Sequence, residues 1–158
     1  MFRDWLTAFA NVSYLVAQGQ GISTAKYLFD AASLNDDSWH TLDHAQSWTA
    51  NFGVTLGGRG ATFTALGNYG SGLRTGPDNN QSVPEHIRFD ATLQYAFDMV
   101  PLRPRLAIDL VNVFDAHYAY RIGNAFVGSS YAAPRSVFVR LAIPLSSGSA
   151  RDGNGGGR

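Results

Sequence analysis

The sequence predicts an all-β chain: an antiparallel up-and-down meander of about six strands, forming a segment of a transmembrane β-barrel wall. Three observations predict it. Six stretches alternate apolar and polar residues with period two, which puts one kind of side chain on each face of a strand. The connections between them run long, short, medium, short, long, as in a barrel with tight turns on one side of a membrane and long loops on the other. And 13% of the residues are aromatic, with 17 glycines among 158 positions, while no apolar run reaches the 18 residues that a membrane helix needs.

The first strand is placed at 5–16, with Leu6, Ala8, Ala10, Val12, Tyr14 and Val16 on one face. Phe9 and Leu15 interrupt its polar face. Residues 17–46 read as a long polar loop. The second strand, 47–56, is the clearest: Trp48, Ala50, Phe52, Val54 and Leu56 oppose Ser47, Thr49, Asn51, Gly53 and Thr55. The Gly-Gly-Arg-Gly run at 57–60 closes a tight hairpin into the third strand, 61–69, where Leu66 breaks the alternation. Residues 70–82 carry Gly-Ser-Gly, Gly-Pro and Asp-Asn-Asn turn chemistry and read as a loop. The fourth strand, 83–97, sets Ile87, Phe89, Ala91, Leu93, Tyr95 and Phe97 against His86, Arg88, Asp90, Thr92, Gln94 and Ala96. A short connection through Asp98, Pro101 and Pro104 leads to the fifth, 105–113. After a loop reaching to Pro134, the sixth covers 135–145, with Val137, Val139, Leu141, Ile143 and Leu145 on one face.

These elements set the domain boundaries: a wall segment over 1–145 and a Gly/Ser-rich disordered tail over 146–158. Twelve basic and twelve acidic residues cancel, so nothing electrostatic argues for nucleic acid. Cysteine is absent, which excludes disulfides and thiolate metal sites. The stretch 1–5 has neither a charged segment nor an apolar core, so it does not read as a secretory signal.

No enzyme is read here, and no catalytic, cofactor or metal site. His40 and His44 sit in a loop, where a four-residue spacing has no helical meaning, and Asp36, Asp37 and Asp43 read as solvated. His86 and His117 are the other two histidines that invite a metal site, and none is assigned. The glycine-rich run 67–72 lacks the Lys-Ser/Thr and the helix that phosphate binding requires. Arg88, Asp90, Arg105, Asp109 and Arg140 all fall on the polar parity of the last three strands and are the candidate lumen-facing residues, read as a charge ladder that satisfies itself or touches a plug. Asn112 and Asp115 read as strand-end caps. Trp5, Tyr14, Trp48, Tyr69 and Tyr95 are candidates for the aromatic girdles of a membrane barrel.

The last two strands carry a more specific pattern. Asp109, Asn112, Phe114, Asp115 and Tyr118, followed by a loop and the pair Pro134-Arg135 opening an alternating strand, resemble the C-terminal signature of TonB-dependent outer-membrane receptors. Upstream, Tyr69-Gly70-Ser71-Gly72-Leu73-Arg74-Thr75-Gly76, Val83-Pro84 and the stretch 89–97 resemble the strands that precede that signature. The resemblance implies location in the outer membrane of a Gram-negative bacterium and import of a bulky scarce nutrient such as a ferric siderophore. The implied partners are outer-membrane lipid, the remainder of the barrel with its plug, and the TonB complex through an N-terminal part that this segment lacks. Leu145 stands where the family ends on an aromatic residue, and the tail 146–158 follows it.

Such barrels close with 22 strands, and the smallest bacterial ones have eight. A six-stranded sheet therefore reads as part of a wall, not a membrane-spanning unit. Two other readings are a small soluble β-barrel or sandwich holding an apolar ligand, and a non-functional gene remnant.

Overall fold

A computed structural model describes residues 5–22, 37–76, 80–98, 102–122 and 128–144. The main element is one six-stranded antiparallel sheet: β1 (Leu6–Tyr14), β4 (Trp48–Gly58), β5 (Ala61–Gly70), β8 (His86–Ala96), β9 (Arg105–Val111) and β12 (Ser136–Ala142), each paired with its neighbour in that order. Three short ribbons extend the hairpins. They are β2 (Gln18–Gly19) with β3 (His40–Thr41), β6 (Arg74–Thr75) with β7 (Gln81–Ser82), and β10 (Ala119–Arg121) with β11 (Ser130–Tyr131).

The ladders keep the two parities apart across the whole sheet. One row runs Thr7, Thr55, Thr64, Thr92, Asp109, Phe138; the row beside it runs Leu6, Leu56, Phe63, Leu93, Ile108, Val139. The polar face is tied laterally by Thr55 and Thr64 hydroxyls 3.0 Å apart and by Asn68 Nδ2 donating to Asn51 Oδ1 at 2.7 Å. No described residue covers the apolar face: Val12 is 67% exposed and Val139 69%. Among the described residues the only buried hydrophobic ones are Ala45, Val83 and Ala107. A soluble sandwich needs a second layer over its apolar face, and the described residues contain no such layer.

Two of the three interruptions of the alternation, Phe9 and Leu66, share a partner that absorbs them, and the third, Leu15, lies just past the end of β1. Phe9 and Leu66 flank Gly53 from either side in register, and a Cβ on Gly53 would come within 2.6 Å of the Phe9 ring and 2.7 Å of Leu66. On the opposite face, Gly67 lies opposite both Phe52 and Phe89, and the Phe52 ring occupies the space a Cβ on Gly67 would need. Phe52, Phe89 and Phe114 then meet edge to face, with centroids 5.9 and 5.5 Å apart.

Several boundaries differ from the sequence reading. The first hairpin turn is only Arg59-Gly60, both at positive φ (50° and 82°), so β4 extends through Gly57 and Gly58 to pair with Thr62 and Ala61. The fourth strand begins at His86 rather than 83, because Pro84 has no N–H for the ladder and Val83 donates to Leu73 in the loop ribbon. The fifth ends at Val111 rather than 113, where Asn112 turns left-handed (φ 54°). The sixth covers Ser136–Ala142 rather than 135–145, just short of Pro144, and the first covers Leu6–Tyr14 rather than 5–16. The three long connections, read as loops, contain the short ribbons; bridges of two or three residues leave no periodic trace. Asp36, Pro101, Leu145 and the tail 146–158 lie outside the described residues.

The two-residue turn with positive φ at both positions favours Asn or Gly, and Arg59 holds that conformation against its Cβ. Arg59→Asn should raise stability by a few tenths of a kcal/mol to about 1 kcal/mol, and Gly60→Val should lower it by about 1–2 kcal/mol. Urea titration followed by circular dichroism measures both.

Candidate functional site

The chemistry gathers at the end of the sheet that bears the long connections, where β5 ends, β8 begins and β9 turns towards β12. It starts with a backbone problem. A strand that stops beside a polar loop leaves N–H and carbonyl groups that must find partners. Asn112 supplies them. It is fully buried, and its left-handed backbone aims the side chain back at the loop. Its Nδ2 donates to the carbonyls of Ala116 (3.1 Å) and Ala133 (2.9 Å), and its Oδ1 accepts from Ala116 N–H at 2.8 Å. Its own N–H donates to Asp90 Oδ1 at 2.8 Å on the neighbouring strand. Asp115, also left-handed (φ 53°), accepts the N–H of Arg135 at 2.8 Å. Asn112 and Asp115 thus do more than cap a strand end: they tie the start and finish of the 112–135 connection together. Pro134 sits between the two pinned positions, Ala133 and Arg135. Tyr118 is held one step further on, its carbonyl accepting Ala132 N–H at 2.9 Å. Phe114 projects onto the apolar side, 73% exposed, against Phe89.

The candidate ladder divides into two groups and one outlier. Asp109 accepts from Thr92 Oγ1 at 2.7 Å and from both Nε and Nη2 of Arg140, at 2.6 and 2.9 Å, across two ladders. Arg88 donates from Nη2 to Asp90 Oδ2 at 3.0 Å and from Nη1 to the Tyr120 hydroxyl at 3.3 Å. Arg105 is the outlier. It is exposed at the opposite, short-turn end of the sheet, opposite Ala96 and Ala142. All five residues share the polar face, but only four are joined in pairs.

The second group draws in residues the sequence reading did not single out together. The His86 ring stacks on Tyr118 (centroids 4.1 Å, planes 8° apart) and meets Tyr120 edge-on at 5.8 Å. The Tyr118 hydroxyl donates to that of Tyr120 at 3.1 Å. Burial and the Tyr120 hydroxyl push Tyr118 up to about 12, so it remains a neutral phenol at physiological pH. The signal available was the i, i+2 spacing of Tyr118 with Tyr120 and of His86 with Arg88, which puts each pair on one face of an extended chain. Gln46 joins them at Gly70, where a Cβ would overlap its Nε2 and lie 2.6 Å from His86 Cε1.

Of the other histidines, His40 and His44 have local partners. His44 Nδ1 lies 2.6 Å from Asp43 Oδ2 with both side chains about half exposed, and Ser38 Oγ lies 2.9 Å from His40 Nε2. No group of three or more His, Cys, Asp or Glu positioned for a metal occurs among the described residues.

No protein-family model matches the sequence, and no curated protein sequence matches it. Among solved structures, the fold is similar to part of the siderophore receptor PiuA from Acinetobacter baumannii. The TM-score is 0.61 at 19% identity, over 89% of this chain and 20% of that one. The chain therefore spans about a fifth of that receptor's length, and at this identity the likeness is one of fold.

Removing the Asn112 side chain strands polar groups in a closed corner. Asn112→Ala should cost about 2–5 kcal/mol, combining unpaired buried groups with a left-handed alanine. Asp115→Asn, which keeps the acceptor for Arg135, should cost under about 1 kcal/mol. Denaturant midpoints of the two variants, compared with the parent, check the order.

Proposed function

We propose that this chain is wall of a TonB-dependent outer-membrane receptor, a non-catalytic segment of a longer barrel that imports a bulky scarce nutrient such as a ferric siderophore. One observation carries the reading: on one face of the sheet every strand position is apolar, aromatic or glycine and no described residue covers it, while Arg88, Asp90, Arg105, Asp109 and Arg140 all lie on the other. Water would penalise that face; hydrocarbon would not. In this reading lipid covers the apolar face, and the plug and ligand meet the polar one. The rest of the barrel pairs with the outer edges of β1 and β12, and energy reaches the receptor through the TonB complex at its N-terminal part.

The aromatic residues support the same orientation. Tyr14 and Trp48 pack with ring centroids 4.6 Å apart at the long-connection end, where Tyr69 donates to Glu85 at 2.8 Å. Tyr95 and Phe97 pack at the other end, 4.9 Å apart; Trp5, also named as a girdle candidate, lies at that end too but at the start of β1, across β4 and β5 from them and on the parity of Thr7. The eight-residue step from Tyr69 to Ala61, the partner of Tyr95, spans about 27 Å along a strand. At a tilt near 40° that is a band about 21 Å tall, close to the roughly 25 Å apolar band of such barrels. The likeness of fold to a siderophore receptor supports the choice of class, and the knotted 112–135 corner coincides with the residues that resemble the family's C-terminal signature.

Charge should be tolerated on one face only. In the receptor that carries this chain, Val54→Arg or Leu93→Arg should cost about 2–4 kcal/mol of folding stability in lipid, and Asn51→Arg or Thr92→Arg much less. Equal tolerance of the two faces in vesicle folding assays would reverse or remove the assignment. An epitope placed after Gly58 should be reached only when the outer membrane is permeabilised, whereas one placed after Gly128 should label on intact cells; the opposite result would invert the topology.

A further inference from the structure

Among the described residues, four side-chain nitrogens are shielded from solvent yet lack a hydrogen-bond partner; Gln46 Nε2, His86 Nδ1 and Arg88 Nε belong to the polar face at the long-connection end, and Arg121 Nε to the ribbon beyond it. Unpaired buried polar atoms are rare and costly, so a group of them calls for an acceptor. The first and third can only donate, and His86 Nδ1 donates in one tautomer. Gln46 and the His86 ring converge on the space above Gly70, and Arg88 is two residues from His86 on the same face. Asp90 does not fill the need: one of its oxygens takes an Asn112 N–H and the other an Arg88 Nη2. Tyr120, already accepting from Arg88 and Tyr118, has its own hydroxyl proton to give.

We propose that Gln46, His86 and Arg88 form a subsite for an oxygen anion, a carboxylate or phosphate oxygen, carried by the ligand that enters at this end. Gly70 is part of the site because only a residue without a Cβ leaves the space in which Gln46 and His86 meet. The Tyr118–Tyr120 pair forms its far wall and adds a neutral donor. The inference rests on the transport reading for the identity of the visitor, but the anion site itself does not require transport.

The test uses the intact receptor carrying this chain, purified in detergent and titrated with citrate, with inorganic phosphate and, as the neutral control, with glycerol. Binding of citrate but not phosphate assigns a carboxylate, and the reverse assigns a phosphate; glycerol should not bind. Arg88→Gln should weaken the bound anion about tenfold or more, the loss of one charge-assisted hydrogen bond. Gln46→Leu and Gly70→Ala should each weaken it several-fold, the latter without any change of charge. Heat-modifiable mobility identifies variants that fold, and Gln46→Leu, outside the main ladder, decides the matter if Arg88→Gln does not. Unchanged affinity in the folded variants overturns the subsite. So does failure of the parent to bind either anion, which would mean that an acidic side chain of the receptor itself supplies the acceptor. Iron uptake that persists while anion binding ignores these residues removes the subsite and leaves transport standing. Arg88-dependent anion binding in a receptor that takes up no iron does the reverse.

Discussion

Everything in this chain depends on strand register. The sheet has two incompatible faces, one uniformly apolar and one holding charges, and five ladders must align them together. A slip of one residue in any ladder would carry a whole strand's charges to the apolar side. Register is held by the two-residue turn at Arg59-Gly60, by lateral pairs such as Asn51 with Asn68 and Thr55 with Thr64, and by the Arg140–Asp109–Thr92 bridge over three strands. The last of these adds little as an isolated surface ion pair. Its value is positional, since it forms only when β8, β9 and β12 are in step.

Small residues make the register compatible with bulky side chains. Phe9 and Leu66 lie on the face that alternation reserves for polar groups, and both lean over Gly53. Phe52 covers Gly67 in the same way on the other face. Glycine weakens a strand by leaving its backbone unprotected and unpacked. A ring laid across it restores the contact, so each glycine and its aromatic neighbour work as one packing unit.

The alternation was legible because it is a property of single residues repeated along the chain. Strand order and the polar-face position of Arg88, Asp90, Asp109 and Arg140 followed from it; the extent of the first turn, read as 57–60, did not. What was not legible depends on backbone geometry or on pairs distant in sequence. Nothing local marks Val111 as the end of a strand; that follows from the left-handed turn at Asn112. The ribbons in the long connections rest on two- or three-residue bridges, too short for any period. The convergence of Gln46 with His86 needs the β4 approach and the β8 start, 40 residues apart, to meet over Gly70. Asn112 and Asp115 were visible as a motif, but their reach to Ala133 and Arg135 spans a connection about twenty residues long.

The two outer edges set the last constraint. β1 and β12 each pair on one side only among the described residues. An open edge presents roughly half the strand's N–H and carbonyl groups unpaired, at several kcal/mol each in hydrocarbon, so a bare six-stranded sheet is opposed by tens of kcal/mol from entering a bilayer. The same sheet in water exposes an apolar face far larger than soluble proteins carry. Neither solvent suits it alone. Pairing both edges with further strands would remove the first penalty and lipid on the apolar face the second, and the proposed barrel wall is the arrangement that supplies both.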